Sequence, residues 1–132
     1  MKSERTASAQ SELLRRDVML SFPKVELHRH LEGTFHLPTL LTIAQRNGLP
    51  VPETLEEFRP TVQFPKDSDP DFLKFLSFFK NDWYRTLDDV EQIAYHSVKQ
   101  FADDGILFIE LRFSPEHFAF HNGFDRAEVT KL

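Results

Sequence analysis

Phe22-Pro-Lys-Val-Glu-Leu-His-Arg-His-Leu-Glu-Gly33 is the stretch from which the rest of the chain can be read. Val25, Leu27, Arg29 and Leu31 alternate with Glu26, His28 and His30. That period of two predicts a strand, with a largely apolar set on one side and an ionisable set on the other. Gly33 ends it. Residues two apart on a strand project from the same face, ~6.5–7 Å apart at Cα. The imidazoles of His28 and His30 are therefore placed to converge on one metal ion, which takes Zn–N bonds of about 2.0–2.1 Å. The bland alternative for any His-x-His is two partly exposed strand histidines.

Outward from this strand the pattern alternates between helix and strand. Leu37, Leu40, Leu41 and Ala44 recur at helical spacing, Pro38 suits a first turn, and Asn47-Gly48 is a C-terminal stop. A Pro-rich connection from Leu49 to Asp69 follows, with a short helix expected around Glu53 to Phe58. Asp69-Pro70 reads as an N-cap followed by Pro at N1. It opens a helix from Asp71 to about Asn81 whose Phe72, Leu73, Phe75, Leu76, Phe78 and Phe79 are apolar on more than one face. A longer helix is expected from about Asp88 to Asp104, with Val90, Ile93, Ala94, Val98 and Phe101 as its buried stripe and Gly105 after its end. Ile106 to Phe113 is a second strand, nearly continuous in apolar residues, as when both faces are covered. Ser114-Pro115 stops it. A loop from Glu116 to Phe124 leads to Asp125-Arg-Ala-Glu128, a capping-box pattern opening a further helix. Strand, helices, strand and helix make the chain α/β, with parallel strands joined by a long helical insertion. Crossovers of that length are usually functional.

Composition narrows the function classes. The 132 residues carry a net charge of −5 and no dense Lys/Arg run, which argues against nucleic acid as the partner. There is no cysteine, so disulfides and thiolate metal sites are excluded, and any metal must be held by His, Asp and Glu. Residues 1–20 are polar, read as a disordered tail over Met1 to Gln10 and a short helix over Ser11 to Leu20. No signal-peptide core or membrane-spanning run is visible, and the expected location is the cytoplasm.

Residues 23 to 33, Pro-Lys-Val-Glu-Leu-His-Arg-His-Leu-Glu-Gly, resemble the opening motif of the adenosine deaminase family, within the metal-dependent amidohydrolases. Glu110-Leu-Arg-Phe-Ser-Pro115 is similar to that family's second-strand motif. The spacing between the two, with a Phe-rich helix in between, fits as well. The resemblance runs from Phe22 to Leu132. It implies a (β/α)8 barrel, with residues 21–132 supplying its first two β/α units, and chemistry at the C-terminal ends of the strands. It implies one zinc ion per complete enzyme, with His28 and His30 as two of its ligands. Glu32 falls where a carboxylate lies near the substrate's sugar, and Phe72, Phe75 and Phe79 match a segment that covers the substrate, although core packing is an equal reading for each phenylalanine.

The implied reaction is hydrolytic deamination of a 6-aminopurine, with zinc making water nucleophilic near neutral pH. The cytidine-type zinc deaminases need a Pro-Cys-x-x-Cys segment and are excluded by the absence of cysteine. The family's usual residue at position 32 is Asp. Glu there is frequent in adenine deaminases, whereas the Ser-Pro after the second strand favours adenosine. Adenosine is thus the first expectation, and adenine or aminodeoxyfutalosine the alternative. The family's further ligand, acid and base residues are expected outside these 132 residues, since such barrels run to about 250 residues. The chain is thus expected to be an N-terminal portion, inactive alone, with no catalytic residue of its own. A third reading is a non-catalytic portion acting only in self-association. Glu26 is expected to share the histidine face as a structural hydrogen-bonding group. Glu110 and Arg112 are expected to share a face as a scaffold or site-orienting ion pair. His117 and His121 are a weaker metal candidate, and His36 and His96 read as ordinary.

Overall fold

A computed structural model of the chain describes residue 15, residues 17–80 and residues 82–132. The expected tail, Met1 to Gln10, and the first part of the expected Ser11–Leu20 helix lie outside the described residues; residues 17–21 are helical. Two parallel strands, β1 (Lys24–His30) and β2 (Ile106–Arg112), pair as one sheet. A 3-10 turn, Leu31–Gly33, ends β1 where the alternation had suggested further strand. Between the strands run α1 (Leu37–Arg46), α2 (Leu55–Val62), α3 (Phe72–Ser77) and α4 (Leu87–Asp103); α5 (Pro115–Ala119) and α6 (Arg126–Lys131) follow β2. The architecture is α/β, with a helical crossover between parallel strands.

Local chemistry explains the element ends. Thr86 caps α4 reciprocally with Asp89, a capping box that places the helix start one residue earlier than its apolar stripe suggests. Gly105 follows at φ 77°, turning the chain straight into β2. Helix α3 starts from Asp71, whose side chain accepts the amide of Lys74 at 2.9 Å, rather than from Asp69, and ends earlier than its apolar run. Helix α2 begins and ends later than expected and carries Pro60 inside it. The expected loop after β2 is partly helical, because Ser114-Pro115 is the N-cap and first residue of α5 as well as the end of the strand. Asp125 caps α6, accepting the amides of Ala127 and Glu128.

The core lies among the helices. Phe58, Tyr84, Phe118, Ile43 and Ile93 are fully buried, and Phe58 meets Trp83 edge-on at 5.7 Å. On α4 the buried set is Asp89, Val90, Ile93 and Ser97, whereas Val98 is exposed, contrary to the apolar stripe. Asp89 is the hub of this region. Its carboxylate accepts the Arg46 guanidinium, the Asn47 amide at 2.9 Å, and the backbone amides of Arg85 at 2.8 Å and Thr86 at 3.2 Å. Burial alone would raise its pKa, but these hydrogen bonds outweigh that and hold it below the ordinary aspartate value.

The sheet departs from simple alternation. Lys24 pairs with Ile106, Val25 with Phe108, Glu26 with Ile109, Arg29 with Leu111 and His30 with Arg112. One step on β1 first matches two on β2; then three steps on β1 match two on β2. Ile109 and Leu111 share a face, so their partners Glu26 and Arg29 share it too. Glu26 accepts Arg29 at 2.6 Å, Arg29 sits 5.9 Å from the centre of the Phe101 ring on α4, and Leu111 packs on the core. The expected division, with Glu26 beside the histidines and Arg29 opposite, is therefore overturned by the extra residue in β1. Nor are both faces of β2 covered among the described residues: Leu107 is 79% and Phe108 53% exposed, with Val25 and Leu27 similarly open on β1.

Candidate active site

His28 lies within the second slip and His30 beyond it, and their two side chains share one face, opposite Arg29. Their Nε2 atoms stand 3.1 Å apart, with ring centroids 5.1 Å apart and planes tilted by 48°. Two imidazole nitrogens on one tetrahedral ion are separated by roughly 3.3 Å at ordinary Zn–N bond lengths. The pair thus has the spacing and the borderline-soft donors of a zinc site. Among the described residues no group of three His, Asp or Glu side chains is placed to hold a metal ion.

The end of β1 is held from several directions. Thr34 donates its hydroxyl to the His30 carbonyl at 3.0 Å, Gln100 on α4 donates to the Thr34 carbonyl, and Leu31 is buried beneath. Glu26 accepts the His28 amide at 3.2 Å; that bond first, then Arg29, holds its pKa below the ordinary carboxylate value. It thus bonds within its own strand, from the face opposite the one expected. Glu32, in the 3-10 turn, accepts the backbone amide of Ser114 and so ties the end of β1 to the start of α5.

Two clefts adjoin at Glu32 and Phe79. The larger, about 760 Å³, runs under the Phe-rich segment and is lined by Phe64, Phe75, Phe78 and Phe79 beside Arg29 and Phe101. Phe75 and Phe79 pack edge-to-face at 5.1 Å, and the Phe79 ring lies against Gly33, where an added Cβ would meet it at 3.5 Å. The smaller cleft, about 490 Å³, is lined by His30, Glu32, Arg112, Ser114 and His117, with aromatic walls. Of the sequence candidates, Glu32 and Phe75 line clefts, His30 joins Glu32 in the smaller one, and Phe72 lines neither and is 71% exposed.

Other sequence candidates are redistributed. Glu110 and Arg112 are both exposed, and no ion pair links them among the described residues. His117 Nε2 meets the Tyr84 hydroxyl at 3.1 Å, and no group of three potential metal ligands includes His117 or His121 among the described residues. Burial lowers the His117 pKa from its ordinary value, partly offset by Glu32. Burial, then the Glu32 and Asp82 carboxylates, push the Tyr84 phenol well above its ordinary value. Tyr84, Ser114 and His117 were not singled out as one cluster from sequence. The available signal was Ser114-Pro115 read as a helix start, which turns His117 back toward Glu32. His36 and His96 stack at 5.8 Å, and His36 also lines the larger cleft.

Comparison with known proteins places this geometry. The family model described as adenosine deaminase matches residues 23–132. An adenosine deaminase of Edwardsiella ictaluri is 41% identical over 107 residues, covering 77% of this chain and 31% of the relative; one of Proteus mirabilis is 39% identical over 102 residues, covering 74% and 30%. The chain therefore spans about a third of the length of the curated relatives it matches. Among solved structures, an amidohydrolase from Burkholderia ambifaria with bound Zn superposes with a TM-score of 0.70 at 24% identity, covering 88% of this chain and 31% of that one. An adenine deaminase from Arthrobacter aurescens gives 0.63 at 25% identity, covering 83% and 34%. With the family model matched from Pro23 to Leu132 and both motifs inside that span, the chain belongs to the adenosine deaminase family.

Proposed function

We propose that this chain supplies part of the active site of a zinc-dependent enzyme that hydrolytically deaminates adenosine to inosine and ammonia. The observation that carries the reading is the His28–His30 pair, with Nε2 atoms 3.1 Å apart at the end of a strand. Zinc, when bound, would supply a nucleophile from water near neutral pH. His28 and His30 would hold it. Glu32 contacts the substrate's polar part from the adjoining turn, and Phe75 and Phe79 exclude water from one side of the purine. Phe72, solvent-exposed here, acts in substrate covering only if its segment moves. The two strands form the beginning of a (β/α)8 barrel, and the location is cytoplasmic; among the described residues no helix is long and apolar enough to cross a membrane.

Catalytic zinc sites keep three protein ligands and an open position. These 132 residues contribute two, and by themselves they do not turn over adenosine. The test has two arms. In the full-length protein, His28→Ala and His30→Ala should each remove most of the bound zinc and the ultraviolet change from adenosine to inosine. Zinc retained at one equivalent in both variants would refute the ligand assignment. In the second arm, zinc-supplemented turnover by residues 1–132 alone, abolished by His28→Ala, would refute the insufficiency. A second substrate reading, adenine, is favoured by Glu32 in place of Asp and by the structural likeness to an adenine deaminase; rates on both substrates decide it.

A further inference from the structure

Tyr84 is fully buried, and a buried hydroxyl has to place its proton on an acceptor. Among the described residues, that acceptor is Nε2 of His117, at 3.1 Å. An imidazole accepting at Nε2 carries its hydrogen on Nδ1 while it is neutral. Burial favours that neutral form. His117 is thus a fixed, uncharged donor whose orientation is set by the phenol behind it. A second bond, from the Asn122 amide to the Tyr84 carbonyl at 2.7 Å, ties the chain after α5 to the same segment.

His117 lines the smaller cleft together with His30, Glu32 and Ser114. Glu32 spends Oε1 on the Ser114 amide. Its Oε2 has no protein donor among the described residues. The same cleft is thus lined by a carboxylate with an acceptor oxygen to spare and by an imidazole with an N–H to spare, beside Arg112 and apolar walls from Phe79, Phe113 and Phe120. A hydroxyl group both donates and accepts, and so satisfies such a pair with one atom. A purine base alone has no hydroxyl to offer.

We propose, building on the deaminase reading, that His117 held by Tyr84 is a specificity-determining residue, which with Glu32 reads a hydroxyl of the substrate's sugar and selects nucleoside over free base. The test compares kcat/KM of the full-length, zinc-loaded wild type, His117→Phe and His117→Gln on adenosine, its 2′-, 3′- and 5′-deoxy analogues, and adenine. His117→Phe should lower kcat/KM on adenosine by about tenfold, the worth of one buried hydrogen bond. It should leave adenine within about twofold and have no further effect on the one analogue that lacks the hydroxyl read. His117→Gln, which keeps an N–H donor, should recover part of the loss. Equal losses on adenosine and adenine overturn the proposal, as does a wild type that deaminates adenine and not adenosine.

Nitrogen-15 NMR of the wild type reads the ring without relying on any variant. Nδ1 should be protonated and Nε2 bare at neutral pH; the opposite tautomer overturns the proposal. A wild type inactive on every substrate sinks the deaminase reading instead. In that event His117 resonances that move with adenosine and not with adenine still support a hydroxyl reader, and resonances indifferent to both overturn it.

Discussion

Replacing Asp89 with asparagine should remove about 3 kcal/mol of stability while preserving the shape of the side chain. The wild-type carboxylate accepts three neutral donors at Oδ2, from Asn47, Arg85 and Thr86, and the Arg46 guanidinium at Oδ1. An asparagine has one acceptor oxygen. Set at Oδ2, it keeps the three bonds but without charge assistance. Hydrogen bonds to charged groups contribute about 1.5–3 kcal/mol against 0.5–1.5 for neutral ones, so three conversions lose roughly 3 kcal/mol. Arg46 would then face an amide N–H; its side chain is 47% exposed, so it can turn to water and adds little. Asp89→Ala strands all four donors and should cost about 3–5 kcal/mol or more. Against a typical total of about 5–15 kcal/mol, either change is large. Urea denaturation measures the loss, and hydrogen exchange at the Arg85 and Thr86 amides localises it. The pH dependence has a definite sign. The folded carboxyl lies below its ordinary value, so its contribution is present above about pH 4 and fades as pH falls through the folded value. The gap between wild type and Asp89→Asn should therefore narrow in acid. A gap under about 1 kcal/mol at neutral pH, or one that persists unchanged in acid, refutes the hub reasoning.

Three further outcomes follow from the packing and electrostatics. Phe58→Ala should cost about 3–5 kcal/mol, since the ring is fully buried against Trp83; fluorescence of the chain's one tryptophan should red-shift, and an unchanged spectrum and midpoint would contradict the packing. Gly105→Ala should destabilise by about 2–3 kcal/mol, because φ is 77° and the new Cβ would meet the Leu20 carbonyl oxygen at 2.8 Å; a melting temperature equal to wild type would show that the turn relaxes freely. His36 should titrate below its ordinary 6.5, burial first and repulsion from His96 second, with Lys99 adding and Asp103 opposing. Its stabilising share is then present above that pH and lost as pH falls, and His96→Ala should raise the value by NMR; a His36 that titrates above 6.5 would contradict this.

How far the sequence carried the fold depended on whether a signal was local. His28 and His30, two apart at a strand end, were legible because strand geometry fixes their spacing. Gly105 and Asn47-Gly48 marked helix ends through backbone conformation alone. Thr86 was harder, because its capping box is closed by Asp89, where Glu or Gln is the usual partner. Asp89 falls in the first turn of an amphipathic helix, and its partners Arg46 and Asn47 lie more than forty positions away. Val98 and Leu107 failed for the converse reason: apolar character predicts burial only where another element is there to cover it. Phe72 is the same case within the candidate site. The Tyr84–His117 contact spans thirty-three positions, so no period announces it.

The extra residue in β1 has a meaning for how this motif tolerates change. It lets one short strand serve two clients, with Glu26 and Arg29 paired on the side of α4 and His28 and His30 turned the other way. Counting matters there more than chemistry does. A side chain in the stretch can be exchanged at the cost of its own contacts. Deleting one residue between Glu26 and Arg29 would restore strict alternation and rotate either the salt bridge or the imidazoles to the wrong side. Insertions and deletions, rather than substitutions, are what this segment is built to refuse.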